Sequence, residues 1–246
     1  MGTSYSITES FGSNLAAVLA DKILLVHRNF NKKEFVEITK IECLNKTYTQ
    51  RIDLLATLLK RFLPEDFKIA CKILMQILGE ENPNETGMFT NYYWLMPIGK
   101  FVEKYGLDDF AISMKAIAEI TKRNTGEYAI RPFIRKFPDK SLKQMKAWAM
   151  SPNFHLRRLS TEGLRPKLPW ATQLIEFVDN PKPVFEILEL LKEDEIRFVK
   201  KSVANHLTDY LKVNPVEAKK ILNRWRKSKN PNTIWIVKHA TRKIKL

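Results

Sequence analysis

Apolar positions recur along this chain at three- and four-residue intervals, the spacing that places them on one face of an α-helix. From Asn14 onward, Leu15, Val18, Leu19, Ile23 and Val26 keep that spacing. The pattern predicts helices over residues 32–44, 49–62 and 64–78, the last with proline in its opening turn. The run Gly-Glu-Glu-Asn-Pro-Asn-Glu-Thr-Gly at 79–87 reads as a loop. Helical spacing returns over 91–105 through Tyr92, Trp94, Leu95, Ile98 and Val102, and again over 107–122 and 141–150. Pro132 is expected to kink or restart a helix. Ser151-Pro152 reads as a helix start and Pro166 as its stop. No alternating run is convincing enough to place a strand.

On the 151–166 helix, Leu156, Leu159, Ser160, Gly163 and Leu164 share one side, while Arg157, Arg158, Thr161, Glu162 and Arg165 fill the other. Sliding Leu156–Glu162 by 43 residues gives Val199-Lys200-Lys201-Ser202-Val203-Ala204-Asn205, and a further 38 leads to Val237-Lys238-His239-Ala240-Thr241-Arg242-Lys243. A period near 40 with paired helices is that of HEAT-like repeats. In the second copy Val199, Val203, Ala204, Leu207, Tyr210 and Leu211 take the apolar side, and Arg197, Lys201, Ser202, Asn205, Thr208 and Asp209 the other. In the third, Ile236, Val237, Ala240 and Ile244 point inward while Trp235, Lys238, His239 and Arg242 face out. The fold expected is an all-α, HEAT-like helical repeat solenoid with a basic concave groove. It would occupy residues 13–246 as one domain, after a residue 1–12 segment expected to be poorly ordered or loosely docked.

Charge sharpens the picture. The chain of 246 residues carries a formal +15, and the excess is one-sided: residues 1–100 hold 12 basic and 11 acidic side chains, residues 151–246 hold 20 and 10. Such a field is the footprint of a polyanion binder. Cys43 and Cys71 form no metal-spacing pair, and no apolar run approaches the length of a membrane span. No phosphate-cradling glycine loop, His-Glu-x-x-His or Gly-x-Ser-x-Gly occurs. A cytoplasmic monomer without metal or cofactor is expected. His27, His155, His206 and His239 are scattered and read as structural groups or phosphate contacts.

What remains is a basic groove holding a few carboxylates, Glu162 and Asp209 among them, with Glu127 one turn before Arg131. A carboxylate repels phosphates, so it fits a target that carries or develops positive charge. An N-alkylated base is cationic, and breaking its glycosidic bond builds oxocarbenium character on the sugar. Carboxylates stabilise both and can deprotonate a water. The cationic base leaves without a general acid, unlike the leaving group of a sugar hydrolase.

These residues resemble a known family. His155-Leu156-Arg157-Arg158-Leu159, Glu162-Gly163-Leu164-Arg165-Pro166 and Leu168-Pro169-Trp170-Ala171 are similar to the signature of bacterial DNA alkylation-repair glycosylases of the AlkC type, relatives of AlkD. Supporting matches are Tyr128-Ala129-Ile130-Arg131-Pro132-Phe133, the Lys201–Asp209 stretch and Trp235–Arg242. The resemblance implies a HEAT-like fold gripping damaged duplex DNA and monofunctional excision of N-alkylated bases such as 3-methyladenine and 3-methylcytosine. It implies Glu162 as main catalytic carboxylate with Glu127 and Asp209 as partners, Trp170 against the lesion nucleotide and Arg165 on the DNA backbone. Arg158, Arg131, Lys201, Asn205, Lys238, His239 and Arg242 complete the expected DNA-binding set. Many AlkC-type proteins carry a further immunoglobulin-like domain, which is not expected here. Two other readings compete with the glycosylase: a non-catalytic HEAT-like binder of bent or branched nucleic acid, and a protein-interaction scaffold, which the basic distribution disfavours.

Overall fold

A computed structural model describes residues 7–87 and 91–242. Every regular element among them is helical. The chain gathers into two compact units, one drawn from Met1–Asn82 and Gly87–Asn124, the other from Pro83–Thr86 and Thr125–Leu246.

The first unit contains α1 (Ser13–Leu24), α2 (Lys32–Glu42), α3 (Tyr48–Phe62), α4 (Phe67–Gln76), α5 (Met96–Tyr105) and α6 (Phe110–Thr121). Side-chain caps decide several starts. Thr47 and Gln50 form a reciprocal capping box on α3. Asp66 accepts from Lys68 N and Ile69 N, so α4 begins at Phe67 and Pro64 stays in the turn before it. Asp109 does the same for α6 by accepting from Ile112 N. Within the 1–12 segment, Glu9–Phe11 form a 3-10 turn and Phe11 is fully buried, edge-on to Tyr93. One large aromatic anchors a stretch poor in helix signals. Residues 1–6 of that segment, and Lys243 and Ile244 of the third repeat copy, lie outside the described residues.

The second unit contains α7 (Arg131–Lys136), α8 (Pro138–Ala149), α9 (Phe154–Glu162), α10 (Ile175–Asp179), α11 (Lys182–Leu191), α12 (Arg197–Val213), α13 (Pro215–Trp225) and α14 (Pro231–Thr241). Pro132 restarts a helix, standing in the first turn of α7. α9 starts later than Ser151-Pro152 suggests. Asn153 is the cap, accepting from His155 N and Leu156 N, and Ser151 Oγ instead accepts from Asn153 N. The three aligned copies fall on α9, α12 and α14, and α12 packs against both of the others. All six apolar positions of the second copy are buried. A distant loop completes its start: Glu85 Oε2 accepts from Phe198 N at 2.9 Å in the first turn of α12.

Candidate active site

α9 ends at Glu162, and the turn that follows carries Arg165. α12 crosses beneath with Ser202, His206 and Asp209 at i, i+4 and i+7, all buried against α9. Glu127 comes from the turn before α7. Arg165 joins the two helices: Nη1 meets Glu162 Oε1 at 2.6 Å and Nε meets Asp209 Oδ2 at 2.8 Å. Arg158 adds the third carboxylate, with Nη1 2.7 Å from Glu127 Oε2 and Nη2 3.5 Å from Glu162 Oε1. Thr125 Oγ donates to Glu127 at 3.0 Å, and the Arg158 guanidinium lies 4.8 Å over the Phe198 ring. Within this network three carboxylates face two guanidinium groups. It therefore holds excess negative charge inside a chain of formal charge +15.

The carboxylates differ in their environments. Burial alone would push the Glu162 carboxyl up. Arg158 and Arg165, with hydrogen bonds from Ser202 and Arg165, outweigh it and hold Glu162 below the ordinary glutamate range. Both its oxygens are engaged, Oε1 by the arginines and Oε2 by the Ser202 hydroxyl. Burial raises Asp209 above the ordinary aspartate range despite Arg165, and its Oδ1 accepts no hydrogen bond among the described residues. One carboxylate is fixed as an anion; the other keeps a free oxygen and is the better proton acceptor.

Supporting groups set this geometry. The Nδ1 of His206 reaches Thr161 O at 2.9 Å and Thr161 Oγ at 3.2 Å, pinning the last turn of α9. Burial, with Arg165 nearby, depresses His206 to about 3, so the ring is neutral, and it stacks flat on Tyr210. Gly163 is required by close packing: a Cβ there would sit 2.8 Å from Ile130 Cγ2 and 2.9 Å from Met145 Cε. The loop beyond is tied from below. Arg131 donates to the carbonyls of Gly163, Arg165 and Thr172, Arg135 also reaches Thr172 O, and Tyr128 donates to Pro169 O. At the loop's tip Trp170 is 80% exposed with φ +58°, a left-handed backbone rare for a bulky residue.

The structure brings Glu127, Glu162 and Asp209 together, buried rather than on an open face, and Arg165, expected on the DNA backbone, lies between Glu162 and Asp209. Two other expected DNA contacts, Arg131 and Arg158, are likewise engaged inside the protein. Arg131 is 2% exposed and directs Nη1 and Nη2 to backbone carbonyls, so it shapes the loop. Arg158 is turned into the carboxylate network, since burying Glu127 and Glu162 demands a paired cation. Arg157, placed by its wheel position beside them, instead pairs with Asp194 at 2.6 Å. Lys201, Lys238 and Arg242 are exposed on α12 and at the end of α14, and Asn205 is half-buried. His239 is half-buried and stacked on Trp235, with centroids 4.7 Å apart. Thr125 and Phe198 escape a reading by motif, while Ser202 and His206 fall within the Lys201–Asp209 match without a place at the carboxylates being assigned to them. Only the i, i+4, i+7 spacing of Ser202, His206 and Asp209 hints at a shared stripe. Among the described residues no group of His, Cys, Asp or Glu is arranged to hold a metal, and no helix is long and apolar enough to cross a membrane.

The profile of the DNA alkylation repair enzyme family matches residues 33–244. This chain belongs to that family. Protein YhaZ of Bacillus subtilis (strain 168) is 33% identical over 239 residues, which is 97% of this chain and 64% of YhaZ. The Pseudomonas fluorescens alkylpurine DNA glycosylase AlkC, solved bound to DNA containing an abasic site analog, superposes with a TM-score of 0.86 at 30% identity. That match covers 98% of this chain and 65% of the AlkC chain. The chain thus spans 64% of the length of YhaZ and 65% of the AlkC chain, and shares a helical fold with the second.

Proposed function

We propose that this protein is a monofunctional DNA glycosylase that releases cationic N-alkylated bases, 3-methyladenine and 3-methylcytosine among them, from duplex DNA. The observation that carries this reading is the buried set of Glu127, Glu162 and Asp209, under-compensated by Arg158 and Arg165. Membership of the DNA alkylation repair enzyme family supports it, as does similarity to a DNA glycosylase solved on DNA. The glycosidic bond breaks with its electron pair going to the cationic base, which leaves neutral. Glu162, held as an anion, stabilises the positive charge that develops on the sugar. A water adds to the anomeric carbon, and Asp209 Oδ1 accepts its proton. Trp170 rests against the lesion nucleotide, while Lys201, Lys238, His239 and Arg242 take backbone phosphates.

Incubation with methylated duplex DNA, with mass-spectrometric detection of freed bases, tests the reading. Release of 3-methyladenine or 3-methylcytosine is expected, leaving an abasic strand. Salt-sensitive binding with no base release from 3-methyladenine, 7-methylguanine or 3-methylcytosine sites would favour the non-catalytic binder instead.

A further inference from the structure

Arg165 is in an odd place for a group that grips DNA. Its guanidinium lies between Glu162 and Asp209 and, among the described residues, is the only cation that touches both. We propose that Arg165 is a charge filter. In the free protein it holds the seat that a cationic base, or the oxocarbenium-like sugar, takes in the complex, and only a cation can displace it without leaving buried carboxylates unbalanced. This rests on the glycosylase reading.

Three features support the exchange. A guanidinium is planar, delocalised and weakly hydrated, which makes it a close chemical stand-in for an alkylated heterocycle. Arg165 stands in the turn after α9, so its side chain can swing without unwinding a helix. Arg158, by contrast, is fixed within α9 beneath Phe198 and stays with Glu127 and Glu162. The vacated seat keeps Asp209, which Arg158 does not reach, facing the incoming positive charge. A neutral base offers no compensation, so seating it breaks a buried ion pair outright. The withdrawn guanidinium finds a new partner in a DNA phosphate, which accepts it bidentately.

The test measures affinities for two duplexes, one with a neutral tetrahydrofuran abasic site and one with a cationic pyrrolidine at the same position. Each is titrated into the wild type and into R165Q. Removing the competing cation should raise the preference for pyrrolidine over tetrahydrofuran about tenfold, as expected for one unit charge a few Å away. An unchanged or reduced preference, with both affinities falling together, makes Arg165 a plain backbone clamp and overturns the proposal. A measurement on the wild type covers the case of a variant that fails to fold. In protein carrying 15N-arginine, the Arg165 Nε–H resonance should shift with the pyrrolidine duplex and stay in place with the tetrahydrofuran and undamaged ones. A resonance answering all three alike, or none, also overturns it. Base release by the wild type tests the underlying glycosylase reading separately.

Discussion

In the first unit, Lys104 meets Asp53 at 2.8 Å and Arg61 meets Glu34 at 3.3 Å, with side chains left 28–59% exposed. In the second unit, the side chains of Arg158, Glu127, Glu162, Arg165 and Asp209 are 6–15% exposed and share partners. Both units bury aliphatic cores of the same kind, Leu55, Leu59 and Leu74 in one and Leu159, Val203 and Leu207 in the other. The contrast supports the proposed placement of the chemistry in the second unit. Exposed pairs are screened and contribute little, whereas a buried network is costly to assemble and is justified by what it does to a bound charge.

The comparison can be broken at its strongest point by removing one cation from each unit. Arg158→Met strands Glu127 and should cost about 3–5 kcal/mol in urea unfolding, while Lys104→Ala should cost no more than about 1 kcal/mol. Equal losses would erase the distinction. Two glycines sharpen it next. A Cβ at Gly106 would press on Ser113 Oγ and lie 2.7 Å from Val102 O, as one at Gly163 would press on Ile130 and Met145. Each alanine substitution should destabilise by about 1–3 kcal/mol. Only Gly163→Ala, which displaces the end of α9, should also slow base release.

His206 gives a pH dependence that belongs to the second unit alone. Its folded value of about 3 lies below the ordinary 6.5, so the unfolded chain binds the extra proton. Stability supplied by the neutral ring is complete above pH 6.5 and falls as pH drops toward 3, by up to about 1.4 kcal/mol per pH unit. Thermal melts of His206→Asn across this window should lose that slope. The smallest effect on stability is expected at Trp170. Trp170→Ala should leave the unfolding midpoint in place, because the indole is 80% exposed, yet weaken binding of lesion-bearing DNA about tenfold.

Much of this architecture is legible in local sequence. Helix spacing locates α1–α3 within a few residues, and the 43- and 38-residue offsets find α9, α12 and α14 as equivalent elements. The Arg158–Glu162 pair follows from i,i+4 spacing. Helix starts differ from the proline-based expectation where a side-chain cap sets them, as at Asn153 and Asp66. The errors at the site have one cause. A wheel places Thr161, Glu162, Ser202 and Asp209 on polar sides, but it does not register that another helix covers those sides. The partners that bury them, Arg165 with Asp209, His206 with Thr161 and Arg131 with Thr172, lie 41 to 45 residues apart.

In the proposed reaction the buried carboxylates of the second unit do the chemistry. Single-turnover base release by Glu162→Gln, measured beside its affinity for the same methylated duplex, tests it most directly. The predicted result is a rate lower by about 10²- to 10³-fold with affinity nearly unchanged. A variant that releases base at the wild-type rate, or whose rate falls only in step with its affinity, would contradict it.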